Sequence, residues 1–402
     1  MSPKAAPGGL GVWLLAAGQT TGYATFNFSF AALLVALSDP ATGAHMPRTV
    51  LAAGPTLALI LAALIAPRMG RLVDRGKGAL LLRFGPLVGA AGLAIASFAQ
   101  GMPAVWIAGY LLVGLAEATT QFETCFALLI RRLGPAARGA IVRVTLVAGF
   151  SATLAFPLGD RLAHALGWQG ALLALAAIAA GVTVPLNIAG TALIQRQVGR
   201  EVADPPDPAG KATALRRAMT DSAFWRLAGL IGLIWLDHAM LTTFALPLLT
   251  GRGADHGIAV MLAAGFGPAQ VAGRVMLLLA GEALPLARVT LATLAVFVLA
   301  GLLLMFGHGV PTMWLLYVLA QGGAAGIATI LRPVLAAEIL GRERFGAIWG
   351  VLSVAPLMAQ AVAPMLGALL LGFGGSAVIL AALAMAVVAL LLGFSLRPRL
   401  GG

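Results

Sequence analysis

The stretch "QRQVGREVADPPDPAGKATALRRAMTDS", residues 195–222, is the only long polar interval in a 402-residue chain that is otherwise 60% hydrophobic and 10% charged. Its Pro, Gly and charge content reads as a linker in water. On both sides lie apolar runs of about 20 residues, each long enough as a helix to cross a hydrocarbon core of roughly 30 Å. Six precede the linker, at 10–37, 46–66, 79–100, 102–130, 139–163 and 168–194. Six follow it, at 223–249, 257–280, 285–306, 311–337, 345–371 and 375–396. These runs predict an all-α integral membrane protein with twelve transmembrane helices in two six-helix bundles, residues 1–194 and 223–402.

Composition narrows the class further. A mean hydropathy of +0.97 exceeds what a water-soluble domain of this size carries, and barrel strands would be shorter and half polar. The single cysteine, Cys125, excludes an intramolecular disulfide. His45, His164, His238, His256 and His308 lie on separate segments without ligand spacing, so neither a metal nor a cofactor is expected. With both termini in the cytoplasm, all of the 26 Lys and Arg residues except Arg48, Arg161 and Arg252 fall at or near the inner side. The net charge of +12 then reads as topology and contact with the anionic bilayer surface, not as nucleic-acid binding. The start, "MSPKAAPGG", lacks a cleavable signal, so the first helix is expected to remain as a span.

The two halves resemble each other. "GAIVRVTLVAGFSATLAFPLG" from Gly139 and "GAIWGVLSVAPLMAQAVAPMLG" from Gly346 share their opening tripeptide. Pro157 and Pro364, and the pairs Leu133-Gly134 and Leu340-Gly341, keep the same separation of 207 residues. Three features at one offset point to duplication, and parallel repeats of this kind build transporters that rock two bundles about a central site.

Between the second and third runs stands "APRMGRLVDRGKG", residues 66–78, with Gly70, Asp74, Arg75, Gly76 and Lys77 in the order G-x-x-x-D-R-G-K. It resembles the signature loop of the major facilitator superfamily, in which a glycine lets two helices approach while the acidic and basic residues form an inner-face charge cluster. "GWQG" at 167–170 is similar to a Gly-Trp turn of that superfamily, and Pro157 and Gly159 after Gly149 partly resemble its helix-5 motif. The second-half counterpart, "AGEALPLARV", keeps only Glu282, and Tyr110 stands where the superfamily often carries a helix-4 arginine. "GPAQVAGR" ending at Arg274 and "LRPVLAAEILGRERFGAI" from Leu331 are similar to bacterial relatives of the monocarboxylate and oxalate/formate porters. The resemblance implies a secondary active transporter working by alternating access as a monomer in the inner membrane, with a small organic anion moved with or against protons. It also implies that Arg274 meets the substrate carboxylate. Export of drug-like molecules is the rival reading. No G-x-x-x-x-G-K-[ST] loop occurs, and neither a nucleophile–base constellation nor a sensor's output domain is present, so a nucleotide-driven pump, an enzyme and a sensor are disfavoured.

An ionisable side chain at mid-bilayer costs about 2.5 to 3.5 kcal/mol on insertion scales, so those that persist are informative. Glu117 lies 14 residues before Arg131-Arg132, about 21 Å along a helix. Thr120, Gln121 and Thr124 follow at helical spacing, giving a polar stripe in which Glu117 fits an interhelical hydrogen bond, proton coupling or substrate contact. Glu123 falls on another face, at the depth of Arg143, so the two are expected to form an ion pair or an inner gate. Arg332, beside Pro333, also reads as a gate residue or as the partner of an acidic residue. Asp237 and His238, in "LIWLDHAML", can carry protons or bond neighbouring helices. Gln19, Tyr23 and Asn27, at i, i+4 and i+8 of the first helix, fit a substrate-lining face or polar glue between helices.

Overall fold

The computed structural model describes residues 9–133, 137–197, 216–280, 284–340, 348 and 351–399. Among them, eleven helical stretches are long and apolar enough to cross a membrane, and the longest, Gly139–Arg196, runs 58 residues. That is roughly 87 Å of helix, nearly three hydrocarbon cores. Gly167, at φ 68° and ψ 172°, divides it, in a backbone region that is essentially restricted to glycine. Among the described residues the spans therefore number twelve, as hydropathy predicts.

They are α1 (Gly9–Leu37), α2 (Arg48–Leu72), α3 (Gly78–Ala96), α4 (Pro103–Leu133), α5 (137–166) and α6 (168–197), followed by α7 (222–251), α8 (His256–Ala280), α9 (Leu286–Phe306), α10 (Pro311–Leu340), α11 (Val354–Leu371) and α12 (Gly375–Leu396). The starts are chemically marked. Pro103 opens α4 at a position where a missing N–H is harmless. The Asp221 side chain accepts from Ala223 N at 2.9 Å to cap α7. The "GWQG" turn seen in the sequence is the α5–α6 break, and Trp168 beside it is buried.

The chain divides into two compact units, Met1–Asp204 and Pro205–Gly402. In unit 1, α1 packs on α5 and α6, α4 packs on α2 and α3, and α3 packs on α6. In unit 2 the same pairs recur with each number raised by six: α7 with α11 and α12, α10 with α8 and α9, and α9 with α12. The repeat read from a few residues is thus a repeat of packing. Close backbone joints fall on corresponding helix pairs too. A Cβ on Gly114 of α4 would lie 2.3 Å from Ala58 O of α2, and one on Gly273 of α8 would lie 2.2 Å from Gly323 O of α10. Small residues at such joints let backbones approach, which matters in a bilayer where lipid tails compete for apolar surface.

The first helix of each unit is interrupted, α1 near its middle and α7 towards its end. In α1 a π-helical turn, Tyr23–Asn27, leads through Phe28 into Ser29–Leu37. In α7, Phe244 separates Ser222–Thr243 from Ala245–Gly251. Outward positions such as Phe98, Met261, Leu279 and Phe373 are large, apolar and exposed, as contact with lipid requires.

Candidate functional site

In unit 1 the polar residues of α1 and α4 meet where both helices lose regular geometry. Thr119 Oγ1 and Thr120 Oγ1 donate back to Leu115 O and Ala116 O, a bonding mode that bends helices. The helix stops at Thr120, Gln121 takes an extended conformation (φ −81°, ψ −168°), and Phe122 starts the next segment. A helix end leaves carbonyls without partners, and side chains take them here. Gln19 Nε2 donates to Thr120 O at 2.6 Å, and Thr124 Oγ1 donates to Ala118 O at 2.9 Å. Glu117, 5% exposed, accepts from Gln121 Nε2 at 3.3 Å through Oε1. Its Oε2 has no hydrogen-bond partner of ordinary geometry, although the Asn27 side chain lies close by. The Tyr23 ring sits 4.6 Å from that of Phe122, which stacks on Phe126 at 4.9 Å. The structure thus brings Gln19, Tyr23, Asn27, Glu117 and Gln121 together.

Two expectations for this region are corrected. The stripe Glu117, Thr120, Gln121, Thr124 does not run along one continuous helix, because the break at Gln121 resets the phase. For the same reason the rotation assigned to Glu123 does not hold: Glu123 is exposed, and no ion pair joins it to Arg143. The Arg143 Nε instead donates to Gly139 O of its own helix at 3.2 Å.

The loop resembling the superfamily signature is a tight π-helical turn, Val73–Lys77, with Gly76 at φ 79°. Glycine is required there by the left-handed backbone. Gly70, where a close helix approach is expected, has nothing within 4 Å of its would-be Cβ among the described residues. Arg75 and Lys77 are exposed, while the Asp74 side chain and Glu282 lie outside the described residues.

In unit 2, Asp237 (1% exposed) and His238 diverge to different partners, as consecutive helical residues must. Gln321 Nε2 of α10 donates to Asp237 Oδ2 at 2.7 Å. His238 packs edge-on against Trp235 at 5.9 Å and Phe266 at 6.4 Å, and Phe266 in turn meets Tyr317 at 5.7 Å. Arg274 of α8, 7% exposed, lies near His238. Its Nε donates to Thr329 Oγ1 at 3.2 Å, and its Nη2 makes a long 3.5 Å contact to Gln270 Oε1. The Arg332 guanidinium lies 5.7 Å from the Trp235 ring centroid, within cation–π range. Among the described residues, the buried Trp235 Nε1, His238 Nδ1, Tyr317 OH and Gln321 Oε1 here have no hydrogen-bond partner.

Gln321, Thr329, Gln270 and Tyr317 are absent from the sequence-derived candidates. Two carried usable signals. Gln321 is an isolated amide in an apolar run, and Tyr317 stands 207 residues after Tyr110, the separation that relates the repeats. Both tyrosines are buried; the Tyr110 hydroxyl lies beside the Ser29 side chain, whereas that of Tyr317 has no hydrogen-bond partner among the described residues.

Residues 14–285 match the family model described as Major Facilitator Superfamily. Comparison with curated protein sequences yields no significant match. Among solved structures, the chain is similar to a bacterial homologue of the human lysosomal transporter Spinster. In its inward-facing, unoccupied conformation the TM-score is 0.67 at 14% identity, covering 97% of each chain. In its inward-facing, occupied conformation the TM-score is 0.68 at 14% identity, over 97% of this chain and 96% of that one. A mutant of the nucleoside transporter NupG aligns with a TM-score of 0.71 and 13% identity, over 97% of this chain and 99% of that one. At such identities the neighbours speak for the fold, and the family match covers more than half of the sequence. The chain belongs to the major facilitator superfamily, and it is a membrane transporter rather than an enzyme.

Proposed function

We propose that the protein carries a small organic anion of the monocarboxylate kind by alternating access, coupled to protons. The observation that supports this reading is Arg274, buried within α8 and held by Thr329 on one side of its guanidinium. A guanidinium offers a carboxylate two parallel hydrogen bonds, and it does so most strongly away from water. The unsatisfied Tyr317 hydroxyl lies in the same unit and supplies a further donor. Asp237, His238 and Glu117 are the ionisable groups in the spans available to carry coupling protons, and Gln19, Tyr23, Asn27 and Gln121 are further polar groups available to the cargo. Arg75 and Lys77 of the tight turn, with Gly70, Asp74, Glu123, Arg143 and Arg332, are assigned to the conformational cycle. The bias of Lys and Arg supports cytoplasmic termini in an inner membrane, and the chain is read as acting alone.

Uptake of labelled lactate, pyruvate, formate and oxalate into proteoliposomes, with and without an imposed pH gradient, tests the reading. One anion is expected to accumulate in wild type, to respond to the gradient and to be lost in Arg274→Gln. If well-folded wild type accumulates none, Arg274 is structural. The aromatic group Trp235, Phe266 and Phe297 then favours the second reading, export of apolar drug-like molecules.

A further inference from the structure

On the linker side of unit 2 the start of α7 and the end of α12 are tied together. In the short turn Arg397–Arg399 that follows α12, Arg399 Nη1 donates to Asp221 Oδ2 at 2.5 Å. Arg226 Nη1 donates to Ser395 O at 3.1 Å, and its Nη2 donates to Ser222 Oγ at 3.2 Å, which fixes this guanidinium between the two helices. A helical turn, residues 216–220, precedes α7 and is held to it. Asp221 N donates to Ala218 O at 3.1 Å, and Trp225 Nε1 donates to Met219 O at 2.9 Å. Ala218 of the turn and Leu396 of α12 are buried in one apolar cluster.

The surface so assembled carries Arg216, Arg217, Arg226, Arg397 and Arg399 against a single carboxylate, Asp221, among the described residues. Asp221 is taken by Arg399. Arg216, Arg217 and Arg397 are exposed, and their guanidinium groups have neither an ion pair nor a hydrogen bond among the described residues. Beside these cations stand two large apolar side chains that are also exposed, Trp225 at 59% and Phe394 at 51%.

Like charges held together without counter-charges repel, and an anion relieves the repulsion. Guanidinium groups bind phosphate through paired hydrogen bonds. The exposed rings decide which phosphate fits. A soluble anion has no contact to offer Trp225 or Phe394, whereas a phospholipid presents a phosphate and acyl chains side by side. Rings at headgroup level next to basic residues are also the pattern of a bilayer interface.

We propose that the α7–α12 surface of unit 2 binds the headgroup of an anionic phospholipid. Arg217 and Arg397 hold the phosphate, Arg226 completes the cationic wall, and Trp225 and Phe394 lie against the acyl chains. The site depends on the spans lying in a bilayer and not on the carboxylate reading, which rests on Arg274.

The test is equilibrium binding of pyrene-labelled phosphatidylglycerol and, separately, of phosphatidylcholine with the same chains to the purified full-length protein in a non-ionic detergent. Each arginine near a membrane surface contributes about fivefold, so wild type is expected to hold phosphatidylglycerol at least about tenfold more tightly than phosphatidylcholine. Arg217→Gln combined with Arg397→Gln should weaken phosphatidylglycerol binding at least about tenfold and leave phosphatidylcholine unchanged. Arg196→Gln combined with Arg288→Gln removes the same charge from exposed positions elsewhere and should change binding less than about twofold if the effect is local. Size-exclusion profile and melting temperature establish that each variant is folded. Inorganic phosphate should displace the lipid no better than chloride does at the same ionic strength. The proposal is overturned if folded wild type does not distinguish the two lipids, or if the Arg217 and Arg397 variant binds as wild type does. It is also overturned if the Arg196 and Arg288 variant loses as much, which would leave only net charge, or if inorganic phosphate displaces the lipid specifically, which would assign the surface to a soluble anion.

Discussion

Gln321 on α10 donates a 2.7 Å hydrogen bond to Asp237 on α7, and each is at most 1% exposed. The bond links the two helices through their side chains, and it keeps one carboxyl oxygen from being left bare in an apolar setting. Removing only the donor, as in Gln321→Leu, strips that acceptor and should cost about 1–3 kcal/mol. Removing both, as in Gln321→Leu with Asp237→Leu, should cost less than the sum of the single changes. Interhelical hydrogen bonds in membranes couple by about 0.6 kcal/mol on average and about 1.7 at most. Thermal unfolding of the four proteins gives the coupling directly, and strict additivity would remove this bond from the account of stability.

The backbone joints of the two repeats should respond alike. Gly114→Ala and Gly273→Ala each place a methyl against a carbonyl oxygen of the neighbouring helix, and overpacking of this kind costs about 1–3 kcal/mol. Gly70→Ala meets nothing within 4 Å among the described residues and should stay within about 0.5 kcal/mol of wild type. Gly76→Ala should be costly for another reason, its φ of 79°, at about 1–2 kcal/mol. Melting temperatures in one detergent rank the four.

At the start of α7 the expectation depends on pH. Asp221 accepts from Ala223 N and from Arg399, so its carboxyl titrates below the ordinary carboxylate range, first because of the backbone N–H and then because of the guanidinium. A depressed folded value means that the stabilisation is present above the unfolded value of about 3.9 and disappears as pH falls through the folded one. Asp221→Ala should lose about 0.5–2 kcal/mol near neutrality. The gap between variant and wild type should close below about pH 4, as followed by melting at a series of pH values.

Replacing Arg274 by lysine keeps the charge and loses the planar fork. If the cargo is a carboxylate held by two parallel hydrogen bonds, Arg274→Lys should retain some uptake, with a KM raised about tenfold for each 1.4 kcal/mol lost, while Arg274→Gln shows none. Equal uptake by the lysine variant and wild type would mean that only the charge matters. Initial rates over a range of anion concentrations distinguish these outcomes.

The spans were legible because a bilayer imposes one length on every helix, so hydropathy alone finds them, including the α5–α6 break that "GWQG" marks. The repeat was legible at Pro157 and Pro364 and at Leu133 and Leu340, and packing extends it to whole helices. The breaks inside spans were not legible. No Gly or Pro stands at Gln121 to mark its interruption; two preceding threonines bond back to their own helix there. The π-helical turn at Tyr23–Asn27 has no sequence mark either. Once α4 breaks, reckoning depth and rotation from residue counts fails, which is why Glu123 and Arg143 do not meet. Gln19, Asn27 and Glu117 were found because a polar residue inside an apolar run is conspicuous. Gln321 and Thr329 are equally conspicuous in hindsight, but a carboxylate or a guanidinium draws attention before an amide or a hydroxyl does.

The duplicated packing also bears on how the protein is made. The main helix pairs of unit 1, α1 with α5 and α6, α4 with α2 and α3, and α3 with α6, are complete within Met1–Asp204. All six helices have left the ribosome before α7 has been translated, and domains generally fold as units with the N-terminal one first. The first bundle can therefore close on itself in the membrane during synthesis of the second, which then repeats the same assembly.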